Sequence, residues 1–287
     1  MEQAVKVWHV LEILKVTEAA FADKGIKNPR LNAELLLADV LKCRRIELYL
    51  DFEKPLTTAE LMAFREFVRR RLKHEPIQYI LGKTEFYALS FNVSPAVLIP
   101  RQETELLVEE VLKYLKETGA KRVLDIGTGS GCVAIAVAAN SDCHIDAIDI
   151  SPDALQTAKE NSDLNNTTDK ITFYNKDVLK EEIDLNDYDV VMSNPPYIPA
   201  EEMKTVDDEV RLYEPASALT DNADGLVFYR RLIELCQKAE KKLVLFAELG
   251  DGKAAYVEGL LKEKGVTNYR ITEDLIKIPR VLVAEFN

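Results

Sequence analysis

The sequence predicts an α/β protein, a doubly wound and mainly parallel sheet preceded by a small N-terminal helical bundle. Three observations predict it. From residue 97 onward, apolar runs of strand length alternate with helical runs. The run Arg122-Val123-Leu124-Asp125-Ile126 leads into Gly127-Thr128-Gly129-Ser130-Gly131 and then into a helical stretch from Cys132 to Ala139. Strand, glycine loop and helix in that order form the first unit of a nucleotide-binding sheet. Residues 1–75, by contrast, read as helices.

The first helix begins with the apolar positions Trp8, Leu11, Ile13, Leu14 and Val16 and runs past Phe21 to a break at Gly25. Asn28-Pro29 opens the second, whose apolar face is read as Leu31, Leu35, Leu36, Leu37, Val40 and Leu41. Pro55 and Thr57-Thr58 start the third, carried by Leu61, Phe64, Phe67 and Val68. Arg69-Arg70-Arg71 with Lys73 is read as a solvated helix face in preference to a docking patch. Residues 76–96 form a connecting hairpin in which Phe86-Tyr87 and Phe91-Asn92-Val93 flank Ala88-Leu89-Ser90. The expected organisation is a helical docking domain over 1–75, a hairpin linker over 76–96 and a large domain over 97–287. In the large domain a helix from Glu103 to Lys116 precedes seven strands, over 122–126, 144–150, 171–175, 188–193, 242–248, 268–274 and 280–285. The last two have only a short link between them, which suits an antiparallel pair.

Charge narrows the partners. The net charge is −12 over 287 residues, and it is uneven: residues 1–75 carry 14 basic and 12 acidic side chains, the remainder 23 and 37. So acidic a large domain is a poor platform for a phosphate backbone, and no direct nucleic-acid binding is expected. Cys43, Cys132, Cys143 and Cys236 lack CxxC spacing, so neither a metal site nor a disulfide framework is expected. No apolar stretch approaches a membrane span. A cytoplasmic monomer is the expectation.

Two motifs carry chemistry. Asp149 follows the glycine loop by about 20 residues at the end of the next strand, where a carboxylate can hold ribose hydroxyls. A dinucleotide loop would need a third glycine where Cys132 stands, and the spacing here is G-x-G-x-G instead. The second motif is Asn194-Pro195-Pro196-Tyr197, entered from the apolar run Val190 to Ser193. Proline stiffens the chain and bars Asn194 from the helical region. Such a turn can hold the Asn194 side-chain oxygen and the Pro195 carbonyl as two fixed acceptors. Two acceptors at that spacing suit a planar NH2 group, a carboxamide or the amino group of a nucleobase, and holding both hydrogens aims the nitrogen lone pair.

Together, Asp125 to Gly131, Asp149 and Asn194 to Tyr197 resemble class I S-adenosylmethionine-dependent methyltransferases, whose sheet is Rossmann-like with seven strands. More narrowly, the chain resembles the protein-(glutamine N5) methyltransferases of peptide chain release factors. That likeness also rests on Pro76 to Gly82, Phe86 to Val93, Val97 to Glu105, Tyr213-Glu214-Pro215, Asp224-Gly225-Leu226 with Tyr229-Arg230, Glu248-Leu249-Gly250 and Ile278 to Val281. It departs at Gln102, Val178 and Lys253, where a proline, an aromatic and a glutamine are common.

The resemblance implies S-adenosyl-L-methionine as cofactor, S-adenosyl-L-homocysteine as product and the glutamine of a Gly-Gly-Gln loop in class 1 release factors as acceptor. It implies that Gly127, Thr128, Gly129, Ser130 and Gly131 face the methionine part, with Asp125 near its ammonium. Asp149 then holds the ribose, and Asp177 and Val178 lie beside the adenine. Asn194 and Pro195 orient the acceptor amide next to the cofactor, Pro196 belongs with them to the substrate-binding residues, and Tyr197 packs on the amide plane. Arg101 and Glu105 either line the mouth of the site or cap the helix that follows. A nucleic-acid adenine methyltransferase and a non-catalytic module of the same fold remain alternative readings.

Overall fold

The structure, a computed structural model, describes residues 7–286. The first six residues of the expected helical segment, and Asn287 of the expected large domain, lie outside the described residues. Two compact units are present. One contains the residues up to Gly82 together with Asp208–Tyr213, the other Lys83–Asp207 and the chain from Glu214 onward.

The first unit is built on helices Val10–Asp23, Pro29–Leu41 and Thr58–Arg71, with a short helix at Ile77–Leu81. Pro29 occupies the first turn of its helix, where its missing N–H leaves no bond unmade. Thr57 caps the next: its hydroxyl accepts from the Glu60 amide while the Glu60 carboxylate accepts from the Thr57 amide at 2.7 Å. The buried stripe of the first helix is Val10, Ile13, Leu14, Thr17 and Phe21. Val16 lies off that stripe and is exposed, and Leu31 is likewise on the surface while Leu36 and Leu37 are fully buried. The 100° step per residue turns both away from the core, contrary to the expected faces. The basic cluster also differs from its reading as a solvated face. Arg71 is buried, donating to Asn32 Oδ1 at 2.7 Å and to the Glu75 carbonyl at 2.9 Å and pairing with Glu209, whereas Arg69 pairs with Glu66 at the surface and the half-buried Arg70 with Glu75. Ile77 and Ile80 pack into the helical core, so this unit runs to Gly82 and not to residue 75.

The second unit opens with strands β1 (Lys83–Phe86) and β2 (Leu89–Asn92), an antiparallel hairpin with Phe86 opposite Leu89. Its turn is the two residues Tyr87 and Ala88, both at positive φ (50° and 58°), shorter than the expected 88–90 connection. Two-residue turns of this hand match the twist of the strands they join. Phe86 and Phe91 are buried with Leu107, Val108 and Val111 of the helix Glu105–Thr118, so the hairpin shares this unit's core.

The main sheet contains β3 (Arg122–Ile126), β4 (His144–Asp149), β5 (Ile171–Asn175), β6 (Val190–Ser193), β7 (Leu243–Glu248), β8 (Tyr269–Glu273) and β9 (Pro279–Phe286). Their order is β5-β4-β3-β6-β7-β9-β8. The first five are parallel, and β9 runs antiparallel between β7 and β8. The fold is thus the seven-stranded, mainly parallel sheet expected, closed by its antiparallel pair.

Successive residues send their side chains to opposite faces. Val190 and Met192 join the cluster under the helices Glu105–Thr118 and Cys132–Ala139, and Val191 joins the one under Val227–Gln237 and Ala254–Glu263. Burial on both faces is why these strands read as continuous apolar runs. Among the described residues, no helix is long and apolar enough to cross a membrane.

Connections from β3 proceed outward through β4 to β5, and the chain then returns to place β6 on the other side of β3. That reversal is the switch point at which open α/β sheets bind ligands. Here it sets the glycine loop after β3 beside the Asn-Pro-Pro-Tyr segment after β6.

Candidate active site

The glycine loop is held from behind. The amides of Gly127 and Thr128 both donate to the Ile148 carbonyl, at 2.9 and 3.0 Å. The Gly129 amide donates to Asp149 Oδ2 at 2.8 Å, and the other Asp149 oxygen accepts from the Ser151 amide at 2.9 Å. Gly131, at φ 81°, caps the helix Cys132–Ala139, and a side chain there would come within 2.9 Å of Ile135 Cδ1 and 3.1 Å of Ala158 Cβ. Glycine at that position lets two helices approach closely. Asn161, fully buried, completes the support: its amide donates to the Ser130 carbonyl at 2.9 Å and the Asn92 carbonyl at 3.0 Å.

At the loop lies a pocket whose lining includes Asp125, Gly127, Thr128, Gly129, Ser130 and Asn194 together with Leu98, Pro100, Arg101 and Thr104. Asp125 Oδ2 and Thr128 Oγ1 are buried and have no hydrogen-bond partner among the described residues. Positions beyond Gly127 and Gly129, where side chains would project, are open. Burial, reinforced by the charge of Asp149, pushes the Asp125 carboxyl up to about 7. A buried acceptor, a buried hydroxyl and open backbone fit a small zwitterion, whose cation would relieve the cost of ionising Asp125.

Asn194 leaves the end of β6 just after Ser193, whose hydroxyl donates to the Ile126 carbonyl at 2.7 Å. The Asn194 Nδ2 group donates to Thr104 Oγ1 at 3.2 Å, which leaves Oδ1 as the acceptor end of the amide. Pro195 is buried, and the half-buried Tyr197 ring lies against Gly250. A methyl group on Gly250 would stand 2.4 Å from Tyr197 Cδ2, and one on Gly225 2.4 Å from the Tyr197 carbonyl oxygen. Burial and the nearby charge of Glu248 raise the Tyr197 phenol to about 12, so it stays neutral.

Of the other candidates, Arg101 lines this pocket and Glu105, Asp177, Val178 and Pro196 do not. Asp177 pairs with Lys180 at the end of β5, and Val178 is buried in the core with its carbonyl accepting from Arg231 at 2.9 Å. The Glu105 carboxylate accepts from the Tyr87 amide at 2.8 Å, tying its helix to the hairpin. Arg101 lines the pocket and pairs with buried Glu214, whose carboxylate also accepts from the Ile99 amide at 3.2 Å. Pro196 follows Pro195 in the turn and is half-buried.

Sequence reasoning assigned no role to Thr104, Asn161 or Glu248. Asn161 stands on the apolar stripe of its helix with Ala154, Leu155 and Ala158, and a polar residue in such a stripe was the available signal. Burial moves Cys132 up to about 12, which leaves it an unreactive thiol at the pocket edge.

Known proteins match this chain along its length. The model of the PrmC N-terminal domain matches residues 12–82, and that of the methyltransferase small domain residues 102–223. Release factor glutamine methyltransferase of Chlorobaculum tepidum is 42% identical over 287 residues, covering 96% of this chain and 97% of the relative. The chain belongs to the release factor glutamine methyltransferase family. A second member, from Geobacter sulfurreducens, is 38% identical with 98% of both chains covered. Among solved structures, the catalytic domain of hMettl16 aligns at a TM-score of 0.55 and 20% identity over 69% of this chain and 76% of that one, a likeness of fold alone.

Proposed function

We propose that the protein transfers a methyl group from S-adenosylmethionine to the side-chain amide nitrogen of the glutamine in the Gly-Gly-Gln motif of class 1 release factors. The observation that carries this reading is the Asn194 amide, anchored through Nδ2 on Thr104 with its acceptor end free, beside a glycine loop whose buried polar atoms lack partners. Family membership supports the acceptor, and the pocket supports the cofactor.

Asp125 would hold the ammonium of the methionine moiety, Thr128 and the loop amides its carboxylate, and Asp149 the ribose. Asp177 and Val178 would border the adenine. When bound, the cofactor supplies an electrophilic methyl group on a sulfonium centre. Asn194 Oδ1 and the Pro195 carbonyl would accept the two hydrogens of the acceptor amide, pointing its lone pair along the line of attack. The same oxygens stabilise positive charge growing on that nitrogen. Tyr197, neutral and braced by Gly250, would cover the amide plane. Arg101 and Glu105 would border the entrance. The helical unit would help dock the release factor, and the reaction would take place in the cytoplasm with the enzyme as a monomer.

Methyl transfer from labelled S-adenosylmethionine to a purified release factor tests the reading, with a Gln→Ala variant of the Gly-Gly-Gln motif in parallel. Label on the native factor and none on the variant is expected. No label on either, by protein shown to bind the cofactor, would overturn it and direct the search to nucleic-acid adenines.

A further inference from the structure

Apart from Asn194, the pocket at the glycine loop is lined by two stretches of chain, 98–104 and 125–133. A ligand that touches both binds well only if their spacing is already set, because ordering them on binding costs affinity. The β1–β2 hairpin is hydrogen-bonded towards each stretch. On one side is Asn161, fully buried on the helix Pro152–Leu164. Its Nδ2 donates to the Ser130 carbonyl at 2.9 Å and to the Asn92 carbonyl at 3.0 Å, and its Oδ1 accepts from the Asn92 amide at 2.7 Å. A main-chain amide can only donate, so the sense of the Asn161 side chain is fixed, and both its hydrogens and its oxygen are in use. Asn161 thus joins the glycine loop to the end of β2. On the other side, in the hairpin turn, the Tyr87 amide donates to the Glu105 carboxylate at 2.8 Å, and Glu105 directly follows Thr104.

We propose that the hairpin is a strut between the two stretches, and that Asn161 and Glu105, the pins at its ends, are positioning residues that set the affinity for S-adenosylmethionine from outside the pocket. This rests on the reading of the pocket as the cofactor site. Neither pin is among the lining residues. Between the pins the hairpin is stiffened by its own pairing, and Phe86 and Phe91 are buried in one cluster with Leu107 and Val108 after the first stretch and Ala134 and Val137 after the second. A ligand held by both stretches and a strut that holds their spacing favour the same arrangement, so each stabilises the other. Removing one pin releases the strut at that end, and removing the second then adds little.

Glu105→Ala removes one pin, and its Kd for S-adenosylmethionine in calorimetric titration is expected to rise about tenfold, the order of one lost hydrogen bond to a charged group. Glu105→Gln, whose side-chain oxygen still accepts from the Tyr87 amide, should stay within about threefold of wild type. Asn161→Ala should raise Kd about tenfold or more. The double variant should bind no more than about threefold more weakly than the weaker single one, whereas two independent effects would multiply to about a hundredfold. KM for the release factor at saturating cofactor should stay within about threefold throughout.

Hydrogen exchange reads the strut itself. In the wild-type protein S-adenosylmethionine should slow exchange at the Tyr87 and Asn92 amides. In Asn161→Ala the Tyr87 amide still faces Glu105, yet it should lose that slowing. Unchanged Kd in Glu105→Ala, a glutamine variant as weak as the alanine one, multiplying losses in the double variant, or hairpin amides indifferent to the cofactor would each overturn the proposal. If Asn161→Ala does not fold, the Glu105 pair and the wild-type exchange decide it. Wild-type protein that binds no S-adenosylmethionine overturns the cofactor reading and the strut with it, while wild-type binding with unaltered variants overturns the strut alone.

Discussion

Gly250→Ala places one methyl group against the face of Tyr197. The added carbon would lie 2.4, 2.8 and 3.0 Å from Tyr197 Cδ2, Cγ and Cε2. Carbon atoms in contact sit at about 3.5 Å or beyond, so the ring must retreat by roughly 1 Å. Gly250 is not among the residues at positive φ, so alanine strains no backbone and the effect is steric. Overpacking of this kind costs about 1–3 kcal/mol of stability. A misplacement of about 1 Å at a reacting centre lowers rate by about 10²-fold. The expected result is therefore a kcat down by about two orders of magnitude, a modest loss of thermal stability and unchanged affinity for S-adenosylmethionine. Steady-state methyl transfer, calorimetric titration of the cofactor and thermal unfolding measure the three. A kcat within about twofold of wild type would refute the claim that Tyr197 must hold its position.

Asn194→Ala should abolish turnover while cofactor binding, measured by calorimetry, stays within a few-fold. Asp125 gives a pH dependence. Its folded carboxyl lies near 7, above its unfolded value, so in the ligand-free protein its contribution to stability is full at low pH and is lost as pH rises through about 7. Binding of a cation would favour the ionised form, so cofactor affinity should increase from pH 5.5 to 7, and Asp125→Asn should weaken binding and flatten that rise in titrations across the range. Arg101→Ala removes the charged hydrogen bond that Arg101 makes to buried Glu214 and should cost about 1–3 kcal/mol in denaturant unfolding, whereas Arg101→Lys should cost less.

How much of this was legible in the sequence differs from element to element. The helix Cys132–Ala139 and the strands Arg122–Ile126 and Ile171–Asn175 begin and end where the apolar runs do, because a glycine or polar break bounds each. The strand expected from residue 188 starts at Val190 instead. Asp189 is diverted, its Oδ2 accepting the Lys121 and Arg122 amides at 3.0 Å each. Of the site, the glycine loop and Asn194 could be found because each is a local motif at a strand end. The Asn194–Thr104 bond spans 90 residues of chain, and Tyr197 meets Gly225 and Gly250 through folding alone. Arg71 carried no sign that it, unlike the arginines beside it, would turn inward towards Asn32 and Glu209.

The membership of Asp208–Tyr213 in the helical unit bears on how the protein can be taken apart. The chain leaves that unit at Gly82, comes back for six residues, and departs again at Glu214. Within the unit the returning segment is anchored by the Arg71–Glu209 pair and by the Tyr213 hydroxyl, which donates to the Lys73 carbonyl at 2.8 Å. The helices are therefore not a detachable module at one end of the polypeptide. A truncated chain starting at Lys83 would keep a segment whose partners had been removed, while a fragment ending at Gly82 would lack one of its own pieces. Any exchange of the helical unit between relatives would have to carry both stretches together.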